Sequence, residues 1–228
     1  MADSAWNVEQ FGPELTAALV DSLAGEVDAL TLGRAVAECA AAAETLCCDR
    51  PIACRAGCPH CCVLNVSVLL PEGMIIAEWL RERLPPAALG ALVGRLAAHC
   101  RRVRWMEDEE RITKQVACPL LDAEGNCTVH PVRPLVCRAA ASLDRADCRD
   151  AFSPAITDDE RLVSADLLRQ KLFDEAFMAL ACAVGHHGLD DRSIEMGSGV
   201  LAFLEHPEFK ELLFSGARLP AELWQPLC

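Results

Sequence analysis

Four cysteines fall within nine residues, at Cys54, Cys58, Cys61 and Cys62, and four more follow at Cys118, Cys127, Cys137 and Cys148. Of all the features of this chain, these thiols limit its fold most. Thiols two or three residues apart can turn their sulfurs to one side of a tight loop. Two such groups, distant in sequence, supply the two arms of a closed sulfur site. Apolar burial alone requires no such spacing, although a free cysteine packs well as a small hydrophobe. The eight cysteines are therefore candidate metal ligands. Cys58, one of Cys61 and Cys62, Cys118, Cys127 and Cys137 form the favoured subset, drawn from both arms. Cys39, Cys100, Cys182 and Cys228 sit in helical or terminal contexts and read as non-ligands. Cys47 and Cys48 lie at a helix end, where packing and an accessory ligand role both fit.

The 228 residues suit one or two domains, and a hydrophobic share of 52% argues against disorder. The reading is a single unit: N-terminal helices over 1–50, a cysteine region over 51–150 and a helical region over 151–228. The first residues lack a basic stretch followed by an apolar one, and no apolar run reaches membrane-spanning length. A cytoplasmic location is expected, where clustered cysteines bind metal or do redox chemistry more often than they form disulfides. A net charge of −13 and the absence of tyrosine speak against nucleic acid and anionic lipid as partners. Arg101, Arg102 and Arg104 beside Glu107–Glu110 read as a solvated, internally paired helix surface. A protein partner stays open, as does the oligomeric state.

Apolar spacing predicts helices from Pro13 to Ala24, Val27 to Cys48, Pro71 to Leu84 and Pro86 to about Val116. Further helices are expected over Leu162–Val184, opened by Asp158–Glu160, then Ile194–Glu205 and Pro207–Phe214. Val63–Leu70 reads as a short strand, and Leu120–Val129 as a small hairpin turning at Gly125. Cys137 and Cys148 are expected in coil. The fold class is thus mainly α, with an irregular cysteine-rich centre enclosed by terminal helices. Leu162, Leu167, Leu168, Leu172, Phe177 and Leu180 should pack the last region onto the first and cover the cysteines.

Three motifs in order carry a resemblance. Cys54-x3-Cys58-x2-Cys61-Cys62, Cys118-Pro-Leu-Leu-x4-Asn-Cys127 and Arg133-Pro134-x2-Cys137-Arg138 resemble the CxxCxxCC, or YkgJ, cysteine-cluster family. That family is described as zinc- or iron-chelating, and the likeness spans about Cys54 to Cys148. It includes a bacterial subgroup that continues through Ser142-Leu-Asp144 and Cys148. Thr128-Val-His130-Pro131 departs from the family pattern and leaves His130 without support as a ligand. Flagellin lysine N-methylases carry a similar cluster but are longer. The resemblance implies bound zinc or iron, the latter as a mononuclear ion or an iron–sulfur cluster such as [4Fe–4S]. Adjacent Cys61 and Cys62 suit a simple zinc knuckle poorly, because neighbouring side chains diverge.

A thiolate site carries net negative charge, and Arg133 and Arg138 flank Cys137. They either offset that charge or cap helices and pair with carboxylates. His60 and the pair His186 and His187 read as solvent-facing or helix-end residues. No Ser/His/Asp set, phosphate loop or HExxH motif is present. The leading reading is a metal-binding protein without catalytic activity. The alternatives are an iron–sulfur enzyme, methyltransferase-like or radical-SAM-like, and a thiol redox sensor. Cys54-x3-Cys58-x2-Cys61 has the radical-SAM spacing, but that loop normally follows a strand, and here a helix precedes it.

Overall fold

The computed structural model describes residues 8–155 and 162–224. Ten α-helices and one two-stranded sheet occur among them. Asp158, Asp159, Glu160 and Cys228, named above, lie outside the described residues.

Helix α1 (Val8–Ser22) buries Phe11, Leu15 and Leu19 at a period of four. It starts before Pro13 and runs through it, giving up one backbone hydrogen bond to keep that face continuous. Helix α2 (Ala29–Cys47) opens on a capping box. The Asp28 carboxylate accepts from the Thr31 N–H at 2.8 Å, and the Thr31 hydroxyl accepts from the Asp28 N–H at 2.8 Å. Cys39, fully buried, packs in this helix as a hydrophobe.

The first cysteine arm leaves α2 through Pro51 and ends in a 3₁₀ turn, His60–Val63. Only Ser67–Leu69 of the expected longer strand is extended, as β1. Helix α3 (Leu70–Arg83) follows, with Pro71 in its first turn. The long helix expected to run to Val116 divides into α4 (Pro86–Val103) and α5 (Asp108–Thr113). The break falls where Asp108, Glu109 and Glu110 open a new first turn, a place the helix dipole favours for acidic groups. Within α5, Glu110 pairs with Lys114 rather than with the arginines of α4. Gln115, at φ 46°, ends the segment.

The expected hairpin at Leu120–Val129 reduces to one bridge, Leu121 to Cys127, around a turn held by Asp122 and by Gly125 at φ 82°. Strand β1 instead pairs antiparallel with β2 (Ser193–Glu195), Val68 facing Ile194. Nor does coil carry the last two cysteines. Cys137 lies on α6 (Leu135–Ala139) and Cys148 on α7 (Arg145–Ala151), which starts on an Asp144 N-cap.

Helix α8 (Leu167–His186) packs against α1, α2 and α6, and α9 (Met196–Glu205) against α3 and α4; α10 (Phe209–Phe214) follows. Leu172 and Leu180 are fully buried and Phe177 and Leu168 pack onto the core, as expected. Leu162 and Leu167 do not; they are 79% and 72% exposed. They precede or begin α8, where the Asp166 N-cap sets the helix start and turns both outward. The apolar cluster is continuous from Phe11 in α1 to Leu219.

Helices α3 and α9 cross closely at glycines. A Cβ on Gly199 would stand 2.8 Å from Ile194 Cγ2, and one on Gly73 would stand 3.4 Å from the Gly199 carbonyl carbon. Gly199→Val should therefore destabilise by about 1–3 kcal/mol through overpacking. Gly90→Ala, on an exposed part of α4 with open space, should stabilise by up to about 1 kcal/mol. Denaturant midpoints of both variants check the pair, and shifts of one sign would refute the packing account.

Candidate metal centre

The chain brings its two cysteine arms together by hydrogen bonds. The Cys118 N–H donates to the Cys62 carbonyl at 2.8 Å, and the Ala53 N–H donates to the Ser142 carbonyl at 2.8 Å. Gly57, at φ 73°, turns the first arm between Cys54 and Cys58. Helix α7 packs on the 3₁₀ turn that carries Cys61 and Cys62. All eight candidate cysteines line one cavity of about 770 Å³.

Within that cavity, mutual influence divides the thiols. Cys118 is affected by Cys127 and Cys137, Cys137 by Cys61 and Cys127, and Cys127 by Cys61. These four come from three separate segments. Cys148 is instead affected by Cys54, Cys61 and Cys58. Cys62 adjoins Cys61, whose thiol it hydrogen-bonds.

Burial governs the thiol chemistry. It pushes Cys118 and Cys137 up to about 12 and raises Cys127 and Cys148 as well. The hydrogen bond with Cys62, and then burial, hold Cys61 in its protonated form. The donor set fits a thiophilic metal in type and number. Among the described residues, no group of three or more His, Cys, Asp or Glu side chains is already gathered as a metal-ion site.

The two arginines beside Cys137 have different tasks. Arg138 donates to Glu44 at 2.6 Å and to the carbonyls of Arg133 and Pro131, so it is spent on structure. Arg133 faces the thiols: its charge favours ionisation of Cys61, Cys127 and Cys137. Its Nε is buried without a hydrogen-bond partner, and burial lowers its own pKa. A buried guanidinium with an unmet donor is a counter-charge in wait for an anion. His60 lines the cavity rather than facing solvent alone; burial, then Arg145 and Arg149, hold its imidazole below the usual range. His130 is exposed at the rim and is lowered by burial and by Arg133.

Sequence reasoning did not find four of the groups around the site. Glu72, 2% exposed, accepts from the N–H of Leu69 at 2.9 Å and of Leu135 at 2.8 Å. It thereby fixes the first turn of the helix that carries Cys137. The others are His99, Arg111 and Glu195, which line the cavity from α4, α5 and β2. The only signal for Glu72 was its place just after Pro71 in a first turn. Below the cysteines, Asp166 binds Arg50 at 2.7 Å, and Arg169 donates to the Arg138 carbonyl and to Cys47 Sγ. Cys47 is thus a packed, hydrogen-bonded thiol, and Cys48 is exposed.

A helical scaffold thus encloses a cavity edged with eight thiols. Residues 53–158 match the family model CxxCxxCC, described as "Putative zinc- or iron-chelating domain". The match covers both cysteine arms and helices α3 to α7. No curated protein and no solved structure matches the chain. No helix among the described residues is long and apolar enough to cross a membrane.

Proposed function

We propose that this chain is a cytoplasmic metal-binding protein whose cavity thiols hold iron as an iron–sulfur cluster. The observation that carries the reading is the convergence of eight cysteines from two distant arms on one cavity, beside the half-buried cation of Arg133. Cys61, Cys118, Cys127 and Cys137 are the primary ligand set, because all four line the cavity and each influences, or is influenced by, others of the four. Cys54, Cys58, Cys62 and Cys148 stand as the second set around the same space. Zinc needs four sulfurs and a closed tetrahedron, whereas a cluster spreads the same ligands over a wider span, which suits a cavity of this size. The chemistry supplied by such a group is electron storage or Lewis acidity; the protein's part is to exclude water and to offset thiolate charge through Arg133.

Anaerobic purification followed by iron, zinc and acid-labile sulfide analysis and a visible spectrum tests this directly. Iron with matching sulfide and broad visible absorbance is the expected result. Colourless protein holding stoichiometric zinc overturns the cluster and leaves a structural zinc site. Protein without stoichiometric metal of either kind overturns the whole reading. Because burial keeps the thiols of Cys118, Cys127 and Cys137 protonated, metal uptake should release protons, measurable in weakly buffered solution.

A further inference from the structure

Arg111 is a buried charge with few partners. Its side chain is 5% exposed, yet its closest ionic contact, to Glu195 Oε1, is 3.7 Å, longer than a hydrogen bond. Its Nε is buried and has no hydrogen-bond partner. Arg192 and Arg169 show the contrast: Arg192 grips Asp190 at 2.6 and 2.8 Å and the Leu219 carbonyl at 2.8 Å, and Arg169 engages Arg138, Cys47 and Glu44. Leaving a buried guanidinium donor empty is costly, so an arginine kept only for structure would be expected to find partners.

Arg111 lines the large cavity, together with His99 and Glu195, from three different elements. Glu195 is partly committed elsewhere, since its Oε2 accepts from the N–H and the hydroxyl of Ser198 at 2.9 and 3.1 Å. Burial holds His99 below the usual imidazole range, so it stays neutral near pH 7. The local charge is thus one cation facing one half-engaged anion. Val66, Val116, Leu120 and Met196 provide apolar wall in the same cavity. A volume of about 770 Å³ is far more than an ion requires and lies within the usual range for small-molecule pockets.

We propose that Arg111 anchors a small organic carboxylate that occupies the cavity beside the thiols. The planar guanidinium fork takes a carboxylate through two parallel hydrogen bonds. A phosphate dianion fits less well, because Glu195 already offsets much of the arginine charge. This site shares the cavity with the thiols but does not depend on the metal reading.

The test is calorimetric titration of the full chain with butyrate, succinate and inorganic phosphate, with bound metal measured in parallel. Saturable binding of a carboxylate probe is expected, tighter than phosphate. Arg111→Met should weaken it at least tenfold, and Arg83→Met, half-exposed over Trp79 and outside the cavity lining, should leave it unchanged. Glu195→Gln should tighten it several-fold by freeing the arginine charge, a gain that a merely structural role would not produce. If Arg111→Met does not fold, Arg111→Lys and Glu195→Gln still decide, since lysine keeps the charge but loses the fork. No saturable carboxylate binding, tighter phosphate binding, or an unchanged affinity in the Arg111 variants would overturn the proposal. Carboxylate binding that survives metal loss would separate this site from the metal centre.

Discussion

Glu72→Ala is expected to destabilise the protein by about 3–5 kcal/mol. The change strips acceptors from two buried N–H groups, those of Leu69 and Leu135, each costing about 1–3 kcal/mol when left unpaired, and it also opens a cavity. The same residue gives the chain an unusual pH response. Burial, only partly offset by those two hydrogen bonds, raises the Glu72 carboxyl from 4.5 to about 7. In that window the folded state holds a proton that the unfolded state has lost, so stability falls as pH rises from 4.5 to about 7. The fall attributable to this group is on the order of 3 kcal/mol. It is complete above both values and absent below both. Glu72→Gln cannot ionise, so the difference in unfolding free energy between wild type and this variant should change by that amount between pH 4 and pH 8. A difference that stays constant over that range would show that the Glu72 carboxyl titrates alike in the folded and unfolded states.

Cys118→Ser and Cys137→Ser are expected to abolish stoichiometric metal binding and to lower the melting temperature by ~10 °C or more, since metal binding energy adds to folding energy. Serine preserves the volume of the side chain and removes the soft ligand. Cys100→Ser and the exposed Cys182→Ser should retain metal and shift melting by only a few degrees. Metal analysis and thermal melts of the four variants check this. Equal losses in all four would refute the ligand assignment, and retained metal in Cys118→Ser would remove that residue from the set.

Much of this arrangement was legible in local sequence. The helix starts at Asp28 and Pro71 carry their own capping chemistry, and Gly57 and Gly125 mark turns that need positive φ. The cysteine spacing pointed to two arms, and they do meet. What escaped was non-local. Strand β1 finds its partner at Ser193–Glu195, and three-residue strands carry too little pattern to announce such a pairing. Cys137 and Cys148 were expected in coil because five- and seven-residue helices scarcely show a period; α6 is held by Glu72, a residue distant in sequence. Leu162 and Leu167 match the apolar spacing of α8 yet face solvent, because the cap at Asp166 sets where the helix begins. Arg111, next to the acidic run Glu107–Glu110, carries no local signal of its role. Only the packing of β2 and the cavity wall around it makes its burial evident.

The pairing of Val68 with Ile194 also has a consequence for synthesis. The first cysteine arm precedes Val68 and the second lies between it and Ile194, so a ribosome completes every thiol of the cavity before the strand that fastens the region emerges. At roughly 5–20 residues per second, more than a hundred residues pass in on the order of ten seconds. For that interval the nascent arms are open to whichever ion or oxidant reaches them first. Selection of the correct metal is then a race against closure, and a cell that supplies the ion late would produce a folded but empty protein.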